Sequence, residues 1–342
     1  LRFVRNNFLH HVLAMRAAMQ ALGGEFLVTG DSVRALVRRG AVHWALHPQF
    51  HAEADGVAQY RAAPDEQTVA FAGWLPYRNK RWPAASDKLL FKAEVHKAGL
   101  PTPRWSQEAG DAPSPCLVKS TASSFGRGIG GPWAFASVAE QPLQPGQFYE
   151  KFVRGESLKI WYLNTQAVAV EREATPTIVG DGRSTLGQLM AERLGLSVRI
   201  AADECTAMTQ RSLELFALAG RTIDTVLPEG ERQAADFRYG SPFLLGRDYK
   251  LVSLAREPWF GDGLLQQAGH FFDTLIPAPI RPLTVYTVDA VREQDGRIWF
   301  LEMNSNPAVH PLVYGPMLAA MVPGTESQAR LLNPQPQHES IN

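Results

Sequence analysis

The chain has 342 residues, room for two or three domains or one composite enzyme with several lobes. Its 45% hydrophobic and 20% charged residues are those of an ordinary globular protein, and Lys+Arg and Asp+Glu both number 34. A chain of zero net charge has no global attraction for nucleic acid or for an anionic membrane, so any anion site has to be local.

Residues 3–22 carry Phe8, Val12, Met15, Met19 and Leu22 at helical spacing and stop at Gly23-Gly24. A strand over 25–29 follows, then a helix entered at Asp31-Ser32 and ended by Gly40, a strand over 41–46 and, past a polar stretch, a strand over 68–75. Residues 1–80 thus read as a small α/β unit without a phosphate loop of its own. The basic, Pro-interrupted stretch 77–83 reads as a linker. Ser86 then caps a helix that runs to Gly99. A strand over 115–120, a Gly/Ser loop over 120–131 and a strand over 147–153 come next. The strand 157–163 turns through Asn164-Thr165 into 167–173, and Ser184 caps a helix ended by Gly195. Residues 196–265 are less regular; 284–291 and 298–304 form a hairpin; the tail over 323–342 is polar and predicted to be disordered. The two cysteines, Cys116 and Cys205, lie in no zinc-like cluster and read as free thiols. No apolar run reaches the roughly 18 residues of a membrane span and no signal pattern opens the chain, so a cytoplasmic location is expected.

Asp295-Gly296 is a type I′ turn signal. With a two-residue turn, residues 294 and 297 pair, and Asp289 falls directly opposite Glu302. Opposed residues share one face, and Asn304, two residues on, shares it too. Facing carboxylates repel unless a cation or a shared proton sits between them. Hard oxygen donors suit magnesium, which takes one or two carboxylates and completes its shell with phosphate and water. The other reading of the same pairing is an exposed sheet face with tolerated acids.

Gly126-Arg127-Gly128-Ile129-Gly130-Gly131 matches GxGxxG after a strand. A dinucleotide loop must open a helix, yet Pro132-Trp133 follows, with Pro142 and Pro145 beyond. A small-residue loop after a strand ending in Lys119 instead suits a cover over a triphosphate, with backbone N–H donors and one ammonium; a plain surface loop remains the alternative.

In order, the chain carries Ser86-Asp87-Lys88, Gly99-Leu100-Pro101-Thr102-Pro103, Leu117-Val118-Lys119, the glycine loop, Tyr149-Glu150-Lys151-Phe152-Val153-Arg154-Gly155, Asp289, and Glu302-Met303-Asn304-Ser305-Asn306-Pro307. This set resembles the ATP-grasp enzymes. The stretch from Glu171-Arg172 to Gly180-Asp181-Gly182-Arg183-Ser184-Thr185, with Thr222-Ile223-Asp224-Thr225-Val226, is similar to the ATP-grasp part of cyanophycin synthetase and of bifunctional glutathione-forming ligases. The resemblance spans about residues 80–315. It implies an α+β ATP-grasp fold over 81–322, with a central lobe at about 100–155 and a C-terminal lobe at 156–322, preceded by the small α/β domain. It implies ATP held between two antiparallel sheets. Lys119 and Lys151 would touch phosphate and adenine, the hinge Glu150–Val153 the adenine edge, and Lys88 the phosphates, under Gly126 and Gly128 of the loop. Asp289, Glu302 and Asn304 would hold magnesium, with manganese an alternative. Arg172, together with Lys119, would neutralise the reacting anions. The chain departs from the family pattern at the ribose position, where Ser157 stands in place of an acid and Glu156 is its neighbour.

The implied activity is ATP-dependent ligation of a small-molecule carboxylate to an amine, an amino acid or short peptide, through an acyl phosphate. Neither nucleic acid nor membrane is an expected partner; a homo-oligomer is, by analogy with relatives. The competing readings are an ATP-grasp kinase acting on a small acceptor and a non-catalytic nucleotide-binding protein. His310 either orients a substrate or is a packing histidine.

Overall fold

The computed structural model describes residues 2–54, 57–122, 128–134, 141–195, 202–239, 241, 249–252 and 263–321. The expected tail and the middle of the glycine loop, Gly126 included, lie outside the described residues. No helix among them is long and apolar enough to cross a membrane.

The first unit is one helix on an antiparallel sheet. Helix α1 (Arg2–Ala21) lays Met15 and Met19 on strands β1 (Glu25–Val28), β2 (Ala35–Arg39), β3 (Val42–Ala54), β4 (Val57–Arg61) and β5 (Thr68–Leu75). Strand β3 is the spine, pairing with β2 at its start and with β4 and β5 further on. The helix expected from Asp31 to Gly40 is instead a tight turn and strand β2. Asp31 accepts from the Ser32 backbone, and Thr29 ties back to Arg34 through its hydroxyl, so these polar residues close a turn rather than cap a helix. From there Ala35 and Val37 point inward while Leu36 faces outward, the period of a strand.

This unit shares its core with the rest of the molecule. Trp161, Leu163, Val168, Ala169 and Val285, with Val313, Tyr314, Met317 and Leu318, pack among its buried side chains. The Tyr314 hydroxyl accepts from the Trp74 amide at 3.0 Å and lies 2.8 Å from His11 Nδ1. Gly73, at φ 103°, lets that strand approach closely; a Cβ there would meet Val309 and the Tyr314 hydroxyl.

The second sheet has the order β14 (Tyr249–Val252), β11 (Gln166–Glu173), β10 (Glu156–Leu163), β15 (Val285–Arg292), β16 (Ile298–Ser305), all antiparallel. Leu158, Ile160, Tyr162, Tyr286, Val288 and Phe300 make one face apolar, covered by helix α2 (Lys88–Lys97) and by Leu265, Ala268 and Phe272 of a later helix (Leu264–Thr274). A third sheet has the order β6 (Trp105–Ser106), β9 (Gln147–Lys151), β7 (Cys116–Ser120), β8 (Gly130–Trp133). The segment after the glycine loop is thus strand β8, not a helix, which removes the dinucleotide reading. A ribbon of β12 (Thr177–Val179) and β13 (Arg232–Ala234), with helix α3 (Leu186–Gly195) and helix α4 (Ala202–Leu218), completes the molecule; the later helix is α5.

Two helix starts sit one residue beyond the expected caps. Asp87, not Ser86, accepts from the backbone of Leu89 and Leu90. Thr185 and Gln188 bond reciprocally at the head of α3, a capping box, while Ser184 is held by Asp181. The last hairpin also differs. Glu293 N–H bonds Arg297 O, so three residues form the loop, with Gly296 at φ 93°.

Burial, with His310 and His10 nearby, pushes the His11 imidazole down to about 4, from 6.5. The unfolded chain therefore takes up this proton more readily than the folded one. His11 contributes its full stabilisation above about pH 6.5 and loses it as pH falls from there toward 4, about 3 kcal/mol in all. Urea unfolding free energies at pH 7 and pH 4.5 should differ by about 2–3 kcal/mol less in a His11→Gln variant than in the parent; an unchanged difference refutes the assignment.

Candidate active site

Register across the second sheet lines up four charged side chains. Glu171 on β11 lies opposite Lys159 on β10, which lies opposite Asp289 on β15, which lies opposite Glu302 on β16. All four line one cleft of about 1240 Å³. Lys159 Nζ is 2.9 Å from Asp289 Oδ1, and Lys88 Nζ, from the first turn of α2, is 3.1 Å from Glu302 Oε2. Asn304 donates to Asp289 Oδ2 at 3.1 Å. The three residues expected to meet, Asp289, Glu302 and Asn304, do so. The route differs from the one expected: the three-residue loop sets the register one step off, and a bulge between Asp289 and Ala290, where Leu301 is the extra residue, restores it.

Burial raises the Glu302 carboxyl above the ordinary range; Lys88 opposes that and Asp289 adds to it. Burial alone would lower Lys159, but Asp289 and Glu171 outweigh it and hold the ammonium above its usual range. Glu171 is itself raised by burial, and it accepts from Trp161 Nε1 at 2.5 Å and from the Tyr239 hydroxyl. The row alternates in sign, so each charge has an opposite neighbour in a partly desolvated place.

The third sheet forms the facing wall. Lys119 bonds Glu150 Oε1 at 2.5 Å, and Lys92 of α2 reaches Glu150 Oε2 at 2.6 Å. Burial would raise Glu150, but the two lysines hold it below the ordinary carboxylate range. With two ammoniums for one carboxylate, the wholly buried Lys92 is the one pulled down. The Glu150 carboxylate therefore fixes Lys119, and only the backbone of the hinge is left for a ligand edge. Beside it Leu117, Phe152 and Leu215, with Ile129 and Phe237, make an apolar slot; the Phe152 and Phe237 rings are 5.2 Å apart. Val153 is buried at its edge. Ser157 enters the same cleft, its hydroxyl 3.5 Å from Phe237 O. Gly128, at φ 71°, sits over Ser120, where a Cβ would touch the serine hydroxyl.

Two expected residues point elsewhere. Lys151 is exposed and opposes Cys116, on the face of β9 away from Lys119 and Glu150, because strand neighbours alternate. Arg172 opposes Leu158 on the apolar side of the second sheet, where it pairs with Glu156 at 3.1 Å. A bulge between Trp161 and Tyr162 shifts the β10–β11 register by one, which turns Glu171 into the cleft and Arg172 out of it. Lys159, Glu171 and Tyr239 are the site residues the sequence did not reveal. Finding Glu171 from sequence would have required knowing that bulge, and finding Lys159 the pairing of β10 with β15.

Among the described residues no group of three or more His, Cys, Asp or Glu is arranged to hold a metal ion. Two opposed carboxylates and an amide, all oxygen donors, still fit magnesium, which borrows the rest of its shell from phosphate and water. Lys88 and Lys159 now supply the positive charge that such an ion would bring.

No family model and no curated protein matches the chain. Among solved structures it is similar to a bifunctional glutathione synthetase from Pasteurella multocida, at 14% identity and TM-score 0.39 over 86% of this chain and 40% of that one. It is also similar to D-alanine–D-alanine ligase from Bacillus anthracis, at 11% identity and TM-score 0.38 over 73% and 69%. A third is the ATP-grasp ligase PsnB, at 15% identity and TM-score 0.34 over 70% and 61%. The chain spans less than half the length of the first of these. The functional reading rests on the site's own side chains.

Glu150→Gln leaves the buried Lys92 without its counter-charge. Its expected cost is about 3–5 kcal/mol in urea unfolding, and Glu150→Gln combined with Lys92→Met should recover more than half of that. Equal stability of the single variant and the parent would count against this triad.

Proposed function

We infer that the protein is an ATP-dependent carboxylate–amine ligase that forms an amide through an acyl phosphate and releases ADP and phosphate. One observation carries the reading: two opposed carboxylates, Asp289 and Glu302, are matched by lysines from separate elements in a cleft that continues into an apolar slot. An adenine ring fits a slot walled by Leu117, Phe152 and Phe237, and Lys119 at its mouth suits the phosphates.

A carboxylate is a poor electrophile because it is anionic and its oxygen is a poor leaving group. In this reading its oxygen attacks the γ-phosphorus, ADP leaves, and the amine then displaces phosphate with loss of a proton. The first step brings several negative charges together, so its barrier is set by charge neutralisation rather than by a protein nucleophile. Asp289, Glu302 and Asn304 would hold magnesium, which supplies Lewis-acid stabilisation of phosphoryl oxygens. With magnesium held there, Lys88 would be available to pair with phosphate or substrate oxygens, while Lys159 keeps Glu171 opposite it. Lys88 would thereby take the neutralising role that Arg172, on the opposite face, is poorly placed to fill.

Glu302→Gln keeps the side chain's size and removes a ligand charge. It should lower magnesium-dependent phosphate release by roughly 100-fold or more with the unfolding midpoint kept near that of the parent. Phosphate release that depends on an added amine separates ligation from phosphorylation of a hydroxyl acceptor. Near-parental turnover in the variant would refute the metal assignment.

A further inference from the structure

The cleft does not end at the carboxylate row. It continues beyond Asp289 and Glu302 to the N-terminal sheet, where Tyr60 of β4, His51 of β3 and Ala70 of β5 lie directly opposite one another in one row. Tyr60 is hydrogen-bonded to the backbone of Ala308 and is close enough to Lys159 to feel its charge. The two rows, one on each sheet, therefore face a common space. On the second sheet the next residue along from Asp289 on the same face is Thr287, opposite Asn304. Thr287 is wholly buried, lines the cleft, and its hydroxyl has no hydrogen-bond partner among the described residues. Leaving a buried hydroxyl without a partner is costly, and a polar group of a ligand in the cleft would satisfy this one. His310 closes the same end.

We propose that this end of the cleft, walled by Tyr60, His51, Thr287 and His310, holds the side chain of one of the two substrates and selects an uncharged, hydrogen-bonding group. The proposal rests on the ligase reading and deepens it. Tyr60 and Thr287 bring neutral hydroxyls, and His51 and His310 imidazoles, all able to donate or accept; Arg81, which lines the same cleft, is exposed to solvent. Burial pushes His310 down to about 4, so its ring is neutral at physiological pH. Lys159 beside Tyr60 is already committed to Asp289. A carboxylate or ammonium entering here would lose its water without gaining an opposite charge, whereas an amide or phenol would exchange water for matched partners. Ala70, the small member of the row, leaves the space beside His51 for such a group.

The test separates this pocket from the nucleotide site. Binding of L-glutamine, L-asparagine and L-tyrosine, and of L-glutamate, L-aspartate and L-lysine, is measured by titration calorimetry with the full chain, without nucleotide. Binding of Mg-ADP is measured separately. The expected result is that L-glutamine or L-asparagine binds about tenfold or more tightly than its acidic counterpart. Thr287→Val, nearly the same size, should remove most of that preference while Mg-ADP affinity and unfolding midpoint stay within about twofold and a few degrees. Tyr60→Phe, which removes one hydroxyl, is the second variant and should act in the same direction. Equal or tighter binding of the acidic members, no binding of any of the six, or a preference untouched by both variants overturns the pocket. Loss of Mg-ADP binding in the parent chain would refute the nucleotide reading instead and leaves the amino acid result to decide the pocket by itself.

Discussion

Everything in the site depends on which face of a strand a residue occupies, and two single-residue bulges decide that. A register slip of one residue sends every side chain of a strand to the other side of its sheet. Without Leu301 as the extra residue of β16, Glu302 and Asn304 would turn toward the core that holds Val288 and Phe300, and Asp289 would face the cleft without its opposed carboxylate. Without the bulge in the β10–β11 pair, Arg172 would share the cleft with Lys159 and Glu171 would be lost to the other side. The charged row is thus specified by backbone irregularities at two points, not by the identity of the acids and lysines alone.

The row also has an electrostatic logic. Two carboxylates held face to face in a partly buried cleft repel, and burial pushes Glu302 toward its neutral form. Lys159 and Lys88 offset that repulsion from opposite ends, one from the same sheet and one from α2. An arrangement of this kind stores a demand for positive charge that either ammoniums or a metal ion can meet. The facing wall works differently. There one carboxylate, Glu150, serves two lysines, so Lys119 keeps charge to spare toward the cleft.

Much of this was legible in the sequence. Alternating apolar residues gave the long strands, and Asp295-Gly296 gave a hairpin that opposes Asp289 and Glu302. The turn was one residue longer than its dipeptide suggests and the bulge compensated, so a correct pair came from an incomplete premise. Residues 31–40 misled because Asp31-Ser32 serves equally well to cap a helix and to close a turn; pairing of β2 with β1 and β3 decided between them. Strand β4 fell in a polar stretch that gives no apolar period, and with it went Tyr60. The Lys159–Asp289 pair joins residues 130 positions apart, which no local pattern announces.

The N-terminal sheet and the five-stranded sheet share a single apolar core. Trp161 and Val285 pack with Met15, Phe71 and Trp74, the Tyr77 hydroxyl bonds Val285 O, and Asn306 binds the backbone of Lys80 on both sides. The carboxylate row and the Tyr60–His51 row are therefore parts of one packed body, and their spacing is fixed by side chains that cannot move without opening that core. The four-stranded sheet is tied to this body more lightly near the cleft, through the Lys92–Glu150 pair, the bond from Lys88 N–H to Thr121 O and the close passage of Gly155 under Arg292. A change in grip on the proposed nucleotide would then leave the distance between the Asp289–Glu302 pair and the proposed pocket beyond it undisturbed. For the proposed ligase, which would hold an acid and an amine in one orientation while a phosphoryl group arrives and leaves, that division would place the rigid contacts where orientation matters most.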